Sequence, residues 1–412
     1  MALGEATLCI IGILCVGHMY ISYMFMYLLY QGYYNSNIQS GSYKEDSSYP
    51  LLCYFALDHD WPDTGGLHPA MNATLCSHMI FISSITQDCK LAPADPNDVT
   101  KYYNKISLLR KLNPNLKIMI SNGGGNFSQV LANYENRTRF VNSIIPFLQK
   151  FDFDGLDIDW EFFGWNGLPR QQRENFTYLM QDLRTTFDEK EASSGRHYIL
   201  SAAVAAGRAV MEIYDVPALQ KSIDFINLMC YDFYSYALYD PVTNYNSPLY
   251  ANDWQKKIVI RGGNIGWSTN EWYKRGMPKH KIMVGIPTYT HTWTLEFPDK
   301  YNGLYAPATG PGSGCDECTY AWVCEKLRSK DTTNVWDNDA SVPYFYYGNQ
   351  WVSYDNEKSL KLKSEWIIEN GFGGIMVYSL NNDDINGTSC GQGKFPLIDT
   401  IKKTIVNHNN HL

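Results

Sequence analysis

Asp157, Asp159 and Glu161 stand at alternating positions of one short apolar run, Phe153-Asp154-Gly155-Leu156-Asp157-Ile158-Asp159-Trp160-Glu161. Interleaving with Leu156, Ile158 and Trp160 gives the two-residue period of a β-strand. Residues two apart on a strand share a face, so the three carboxyls line up on one side at roughly 7 Å per step. Like charges crowded on an otherwise apolar strand are unfavourable unless a proton is shared or a partner lies close. A chain that keeps such a ladder is expected to use it.

From Pro50 onward, short apolar runs alternate with amphipathic stretches, the pattern of a parallel sheet with crossover helices. Strands are predicted at 51–56, 78–83, 117–121, 155–159, 199–204, 225–231, 281–286 and 374–379. Helices are predicted at 99–112, 137–150, 170–190, 217–222, 269–275, 357–369 and 396–405. Eight such strands point to the α/β class and a (β/α)8 TIM barrel; the pattern alone also fits an open doubly wound sheet. The 412 residues hold such a barrel with an insertion as one unit. Residues 292–352 are too many for one crossover helix and carry no long helical period. They read as a small α+β insertion domain between the seventh and eighth strands, leaving 50–291 and 353–406 to the barrel.

The formal charge of −8 and the lack of any Lys/Arg cluster argue against nucleic acid as a partner. Aromatic residues make up 15% of the chain. Composition favours burial in the core; a cleft that stacks on sugars is the sharper reading. Residues 6–30 contain no Asp, Glu, Lys or Arg, a length sufficient to cross a bilayer. The unbroken apolar run favours an uncleaved signal-anchor over 1–30, followed by a polar stalk over 31–49. A cleaved signal peptide is the rival, with small residues near Cys15-Val16-Gly17, although Glu5 stands where a positive segment belongs. Five Asn-x-Ser/Thr sequons, at Asn72, Asn126, Asn136, Asn175 and Asn386, join this segment in pointing to the secretory pathway. The main body is then extracellular or lumenal, membrane-anchored or secreted according to cleavage, and disulfides are permitted.

Barrel sites sit at the C-terminal ends of strands, so Glu161 would reach highest into the mouth. The ladder could bind a hard cation through oxygen ligands. It could also perform acid catalysis, with one carboxyl kept protonated by charged neighbours, or be a buried ladder with no function. No His or Cys adjoins the strand, and no calcium-loop spacing is present.

Asp154-Gly155-Leu156-Asp157-Ile158-Asp159-Trp160-Glu161 resembles the DGxDxDWE signature of the glycoside hydrolase family 18 chitinases and chitinase-like proteins. Ser121-Asn122-Gly123-Gly124 resembles the family's SxGG on the third strand, and Met229-Cys230-Tyr231-Asp232 its MxYD on the sixth. Residues 281–295 resemble the seventh strand leading into the insertion domain, and 343–384 the path back to the eighth. The resemblance covers about residues 50–406.

The resemblance implies retaining hydrolysis of β-1,4-linked N-acetylglucosamine polymers by a monomer, with no metal or cofactor. The partner would be chitin or N-acetylglucosamine oligosaccharides. Glu161 would be the general acid and later the base. Asp159 would hold the substrate's acetamido N–H, Asp157 would share a proton with Asp159, and Tyr231 would bind the acetamido oxygen. Tyr54, Met229, Asp232, Tyr289, Met376 and Tyr378 would complete the substrate site. A non-catalytic lectin on the same scaffold is the alternative, although such lectins commonly lack the acid or one Asp. An enzyme cleaving between the two core sugars of N-glycans would use the same carboxylates.

The chain departs from the family pattern at four places. Gly125 and Tyr378 stand where Trp is usual, Phe162-Phe163 replaces Tyr-Pro, and His291 takes the place of an Arg, with Tyr289 kept. The resemblance pairs Cys53 with Cys76 and Cys324 with Cys390. Spacing suggests that Cys315 and Cys318 close a small loop; zinc binding by Cys315, Cys318 and Cys324 lacks an evident fourth ligand. Cys230 is expected as a buried thiol, and Cys89 has no obvious partner.

Overall fold

Each predicted strand forms, because each apolar run can pack one face inward and the other against helices. The computed structural model describes residues 49–58, 60, 66–123, 127–161, 170–252, 262–314 and 317–410. The segment read as a signal-anchor or signal peptide lies outside them, as do Gly125, Asn126, Phe162, Phe163 and Cys315. No helix among the described residues is long and apolar enough to cross a membrane.

In chain order, β1 (Leu51–Ala56) and β2 (His78–Gln87) are followed by β3 (Lys90–Pro93), β4 (Lys117–Gly123) and β5 (Gly155–Asp159). Then come β6 (Ile199–Ala205), β7 (Phe225–Met229) and β8 (Ile282–Pro287). A second sheet contains β9 (His291–Leu295), β10 (Ala308–Pro311), β11 (Thr333–Asp337), β12 (Val342–Tyr347) and β13 (Gln350–Ser353), before β14 (Gly374–Tyr378). The parallel order β1-β14-β8-β7-β6-β5-β4-β2 closes through β1–β2 pairing, giving an eight-stranded (β/α)8 barrel.

Alternation along the strands separates two cores. Cys53, Phe55, Leu156, Ile158, Val284 and Val377 face the helical layer, whereas Leu52, Tyr54, Ile80, Met119, Met283 and Met376 fill the barrel interior. The insertion is a five-stranded antiparallel sheet, order β10-β9-β13-β12-β11. Trp293 and Trp351 meet edge-to-face at 5.2 Å in its own small core. Disulfides join Cys53 to Cys76 and Cys324 to Cys390. Cys318 is also disulfide-bonded, and Cys89 and Cys230 are buried free thiols.

Three local details change or extend these expectations. The helix read over 99–112 is broken into Asn97–Lys101, a 3-10 turn at Tyr103–Lys105, and Ile106–Leu112. Adjacent Tyr102 and Tyr103 both bury their rings, their hydroxyls donating to the carbonyls of Asp58 and Ser83. Successive residues of a regular α-helix point about 100° apart, so the helix gives way. The second strand runs on to Gln87 and turns back as β3, paired antiparallel from Ser84↔Pro93 to Gln87↔Lys90. The insertion also holds one helix, Tyr320–Leu327, begun by Thr319 capping the Trp322 N–H.

The last helix, Pro396–Asn409, is held to the barrel by Asp383. Its Oδ2 accepts from Leu397 N and Ile398 N, both at 3.1 Å, and its Oδ1 from Asp384 N at 2.8 Å. Burial nevertheless pushes this carboxyl up to about 7. A raised folded-state value means that folding takes up a proton. The contribution is present in full below the ordinary carboxylate range and is lost as pH rises through 7. Stability measured by denaturant should therefore fall from pH 4 to 8 more steeply for the native chain than for Asp383→Asn. The difference should reach at most about 4 kcal/mol; parallel curves would contradict the assignment.

Candidate active site

Asp157 sits in register between two serines, with Ser121↔Asp157 across β4 and Asp157↔Ser201 across β6. Its Oδ2 accepts from Tyr54 Oη at 2.7 Å and Ser121 Oγ at 3.0 Å. Its Oδ1 accepts from Ser201 Oγ at 2.6 Å and Asn227 Nδ2 at 3.0 Å. Asn227 Nδ2 also reaches Tyr54 Oη at 3.0 Å. Four donors use the roughly four lone-pair sites of a carboxylate. Asp157 is thus held by β1, β4, β6 and β7, and no hydrogen bond joins it to Asp159 among the described residues. Burial raises this carboxyl above its ordinary range, and the four donors offset the rise only in part.

The three carboxylates rise out of the barrel. Asp157 is fully buried, Asp159 is half-buried at the end of β5, and Glu161 is exposed in the turn beyond. Trp160 lies between Phe127 and Phe176 on the helical side, 5.8 Å from each ring, which fixes the backbone between the upper two acids. Asp159 Oδ1 is buried without a hydrogen-bond partner. Burial raises Asp159 well above the usual carboxylate range, and the charges of Glu161 and Asp157 add to this. Glu161 is also raised, first by desolvation and then by Asp232 and Glu317.

Gly123 pairs with Asp159 at the top of β4. A Cβ there would stand 2.0 Å from the Asp159 carbonyl oxygen. Only glycine lets the two strands approach this closely beneath the upper acids.

Tyrosines form the floor and wall. Tyr378, at the end of β14, lies 5.8 Å from Tyr54, 5.7 Å from Tyr231 and 5.9 Å from Tyr289 by ring centroids. Burial and then the nearby carboxylates push the Tyr378 phenol up to about 12, so it remains a neutral donor. Met229 is half-buried beside this group. Tyr54 and Met376 are fully buried, so they support the floor rather than face the opening. Tyr231 Oη directs its weak bond to Met376 Sδ, at 3.9 Å.

Asp232 is exposed, with φ of +53°. Its Oδ1 accepts from Tyr289 Oη at 2.5 Å and meets His291 Nε2 at 2.7 Å. Asn246 holds this corner. Its Oδ1 accepts from Asp232 N at 2.8 Å and its Nδ2 donates to Tyr289 O at 3.3 Å.

Four contributors were not anticipated. Ser201 and Asn227 are single polar residues inside apolar strands, a pattern that could have exposed them. Asn246 and Glu317 lie in loops without a distinguishing period. Glu317 is brought to the mouth by the bond from Thr290 N to Cys318 O, 3.1 Å, beside the Tyr289↔Thr319 bridge. Among the described residues, no group of three or more His, Cys, Asp or Glu is arranged to hold a metal ion.

The sequence model of the family described as "Glycosyl hydrolases family 18" matches residues 50–383. The chain belongs to glycosyl hydrolase family 18. It is 36% identical to chitotriosidase-1 of Mus musculus over 346 residues, covering 81% of this chain and 73% of that protein. It is 34% identical to chitinase-3-like protein 2 of Homo sapiens, covering 87% and 93%. Among solved structures, human YKL-39 superposes with a TM-score of 0.79 at 34% identity, covering 87% of this chain and 100% of that one. It is described as "a pseudo-chitinase with retained chitooligosaccharide binding properties". An "immunomodulatory active chitinase" from Trichuris suis gives the same TM-score at 33% identity, again covering 87% and 100%. The family 18 barrel is therefore common to an active enzyme and a pseudo-enzyme at nearly equal distance from this chain.

Removing the buried anion should be costly to this family 18 barrel. Asp157→Ala leaves four inward-facing donors without their acceptor. A loss of about 3–5 kcal/mol is expected in urea denaturation; a loss below 1 kcal/mol would show that the network does not organise the barrel.

Proposed function

We propose that this chain hydrolyses β-1,4-linked N-acetylglucosamine oligomers with retention, using the substrate's own acetamido group as nucleophile. The observation that carries the reading is the complete ladder of buried Asp157, half-buried Asp159 and exposed Glu161, with Glu161 raised toward its protonated form. Substrate-assisted catalysis is the recognised departure of this family from the two-carboxylate scheme.

Glu161 donates its proton to the glycosidic oxygen as the bond to the anomeric carbon breaks. The acetamido carbonyl oxygen bonds to that carbon, and Asp159 accepts a hydrogen bond from the acetamido N–H, stabilising the oxazolinium ring. Tyr231 donates to the acetamido oxygen. Water then attacks the anomeric carbon, Glu161 takes its proton, and the ring opens with configuration retained. Asp157 acts here as a fixed acceptor beneath Asp159, its oxygens already engaged by four donors.

A lectin is the second reading, favoured by the pseudo-chitinase relative and by Tyr378, which offers a sugar less stacking area than Trp. In either case we propose passage through the secretory pathway and release as an extracellular protein. The disulfides Cys53–Cys76 and Cys324–Cys390 and the sequons fit that route.

The full chain should release products from chitotetraose. Glu161→Gln should lower turnover by at least about 100-fold while retaining binding. Binding without turnover in the native chain would establish the lectin; turnover surviving in the variant would remove Glu161 as the acid.

The alkaline limb of the pH–rate profile reports loss of the Glu161 proton. The negative charge of Glu317 helps to raise Glu161. Glu317→Gln should therefore move that limb to lower pH, with little change on the acidic side. An unmoved limb would separate Glu317 from the acid.

A further inference from the structure

We infer a second saccharide-binding site on the outer wall of the barrel, between helix Ile265–Lys274 and the end of helix Glu357–Glu369. A cavity of about 600 Å³ opens there, walled by Tyr250, Gly266, Trp267, Asn270, Trp366 and Asn370. None of these residues takes part in the carboxylate ladder or its tyrosine floor. The volume falls in the range of about 300–1,000 Å³ typical of small-molecule sites.

The walls define the ligand's chemistry. Tyr250 is 41% exposed and stands perpendicular to Trp366, with centroids 6.4 Å apart. Trp366 is backed by Phe372, stacked at 5.6 Å and 29°, so its orientation is set by the core. At Gly266, an added Cβ would stand 3.7 Å from Trp366 Cζ2 and 3.3 Å from the Leu249 carbonyl oxygen, so a longer side chain would grow into the aromatic corner.

Two amides flank this corner in fixed positions. Asn270 Nδ2 donates to Gly266 O at 2.7 Å, and Asn370 Nδ2 donates to Trp366 O at 2.8 Å. Each amide anchored by one N–H still presents a second N–H and a carbonyl oxygen. Partial burial, and then the Glu369 carboxylate, raise the Tyr250 phenol, which stays neutral and able to donate.

Among the described residues, no side chain that walls the cavity is charged, so this wall favours an uncharged ligand. A wholly apolar ligand would cover the amide groups without satisfying them, a desolvation loss with no return. A peptide could use the amides, but its side chains would have to fit a rigid aromatic corner. A neutral ligand with a flat apolar face and a rim of hydroxyls satisfies both surfaces, because aromatic rings take the face and amides take the hydroxyls. Pyranose rings have that form. The site would hold a polysaccharide against the outside of the barrel, independently of what the mouth does with it.

The test uses the full chain carrying Glu161→Gln, so that no ligand is consumed. Chitotetraose, cellotetraose and maltotetraose serve as probes. Hydrogen exchange should show protection of 262–274 and 364–372 by at least one tetrasaccharide, separate from protection at the barrel mouth. Adding Tyr250→Ala and Asn270→Ala should weaken outer-wall binding by at least about tenfold, with the melting temperature and any binding at the mouth unchanged. Protection confined to the mouth for all three probes overturns the site. Outer-wall protection that survives both substitutions also overturns it. A failure at the mouth appears instead as loss of turnover in the native chain, so the two readings fail separately.

Discussion

A carboxylate removed from water organises the centre of this barrel. Asp157 is fully buried, and an unpaired charge at such a site would be strongly unfavourable. Its compensation comes from four other strands or their ends: Tyr54 on β1, Ser121 on β4, Ser201 on β6 and Asn227 on β7. The serines can reach it only because the β4–β5 and β5–β6 registers place them directly beside it. A one-residue slip of either neighbour would turn its serine to the helical side. The charge therefore specifies register as well as being stabilised by it.

The same strand then converts depth into chemistry. Each step of two residues moves one acid outward, from Asp157 among donors, through Asp159 with one unpaired oxygen, to exposed Glu161. The close approach at Gly123 narrows the barrel beside Asp159. Desolvation raises both upper acids first, and they differ in the charges that add to it: Glu161 and Asp157 for Asp159, and Asp232 and Glu317 from other segments for Glu161. The insertion contributes to this directly, since Glu317 is carried to the mouth by the bond between Thr290 and Cys318. It is therefore part of the electrostatics of the site.

Strands and ladder were legible in the sequence because both rest on short-range alternation. The strand 155–159 was read with its observed bounds, and Leu156, Ile158 and Trp160 do face the helical core. What escaped depends on contacts distant in the chain. The break at Tyr102 arises because two neighbouring rings each find a separate buried carbonyl. Asn246 gains its place from Asp232 and Tyr289, which lie in the loops after β7 and β8. The expected proton sharing between Asp157 and Asp159 was read without Asn227, 70 residues further along, whose amide occupies one of the acceptor positions of Asp157. Ser201 and Asn227 were visible as polar interruptions in apolar runs, yet their common target was not.

Backbone similarity does not decide what this chain does with a sugar, because an active chitinase and a pseudo-chitinase match it at the same TM-score. The decision lies in the balance between proton delivery and grip. All three acids are kept, and Glu161 stands exposed where a leaving oxygen can reach it. The wall has shifted instead, with Tyr378 ringed by three other tyrosines at 5.7–5.9 Å. A phenol offers less apolar area than an indole, so stacking beneath a sugar is weaker. It adds a neutral hydroxyl beside the carboxylates, and burial and those charges keep it protonated further into the alkaline range. Under the proposed function, exchanging apolar area for a hydroxyl would favour recognition of one sugar at the reacting position over tight hold on a long polymer. Under that proposal catalysis would need only the first sugar to be well placed, which would reconcile a complete acid ladder with a thinner aromatic floor.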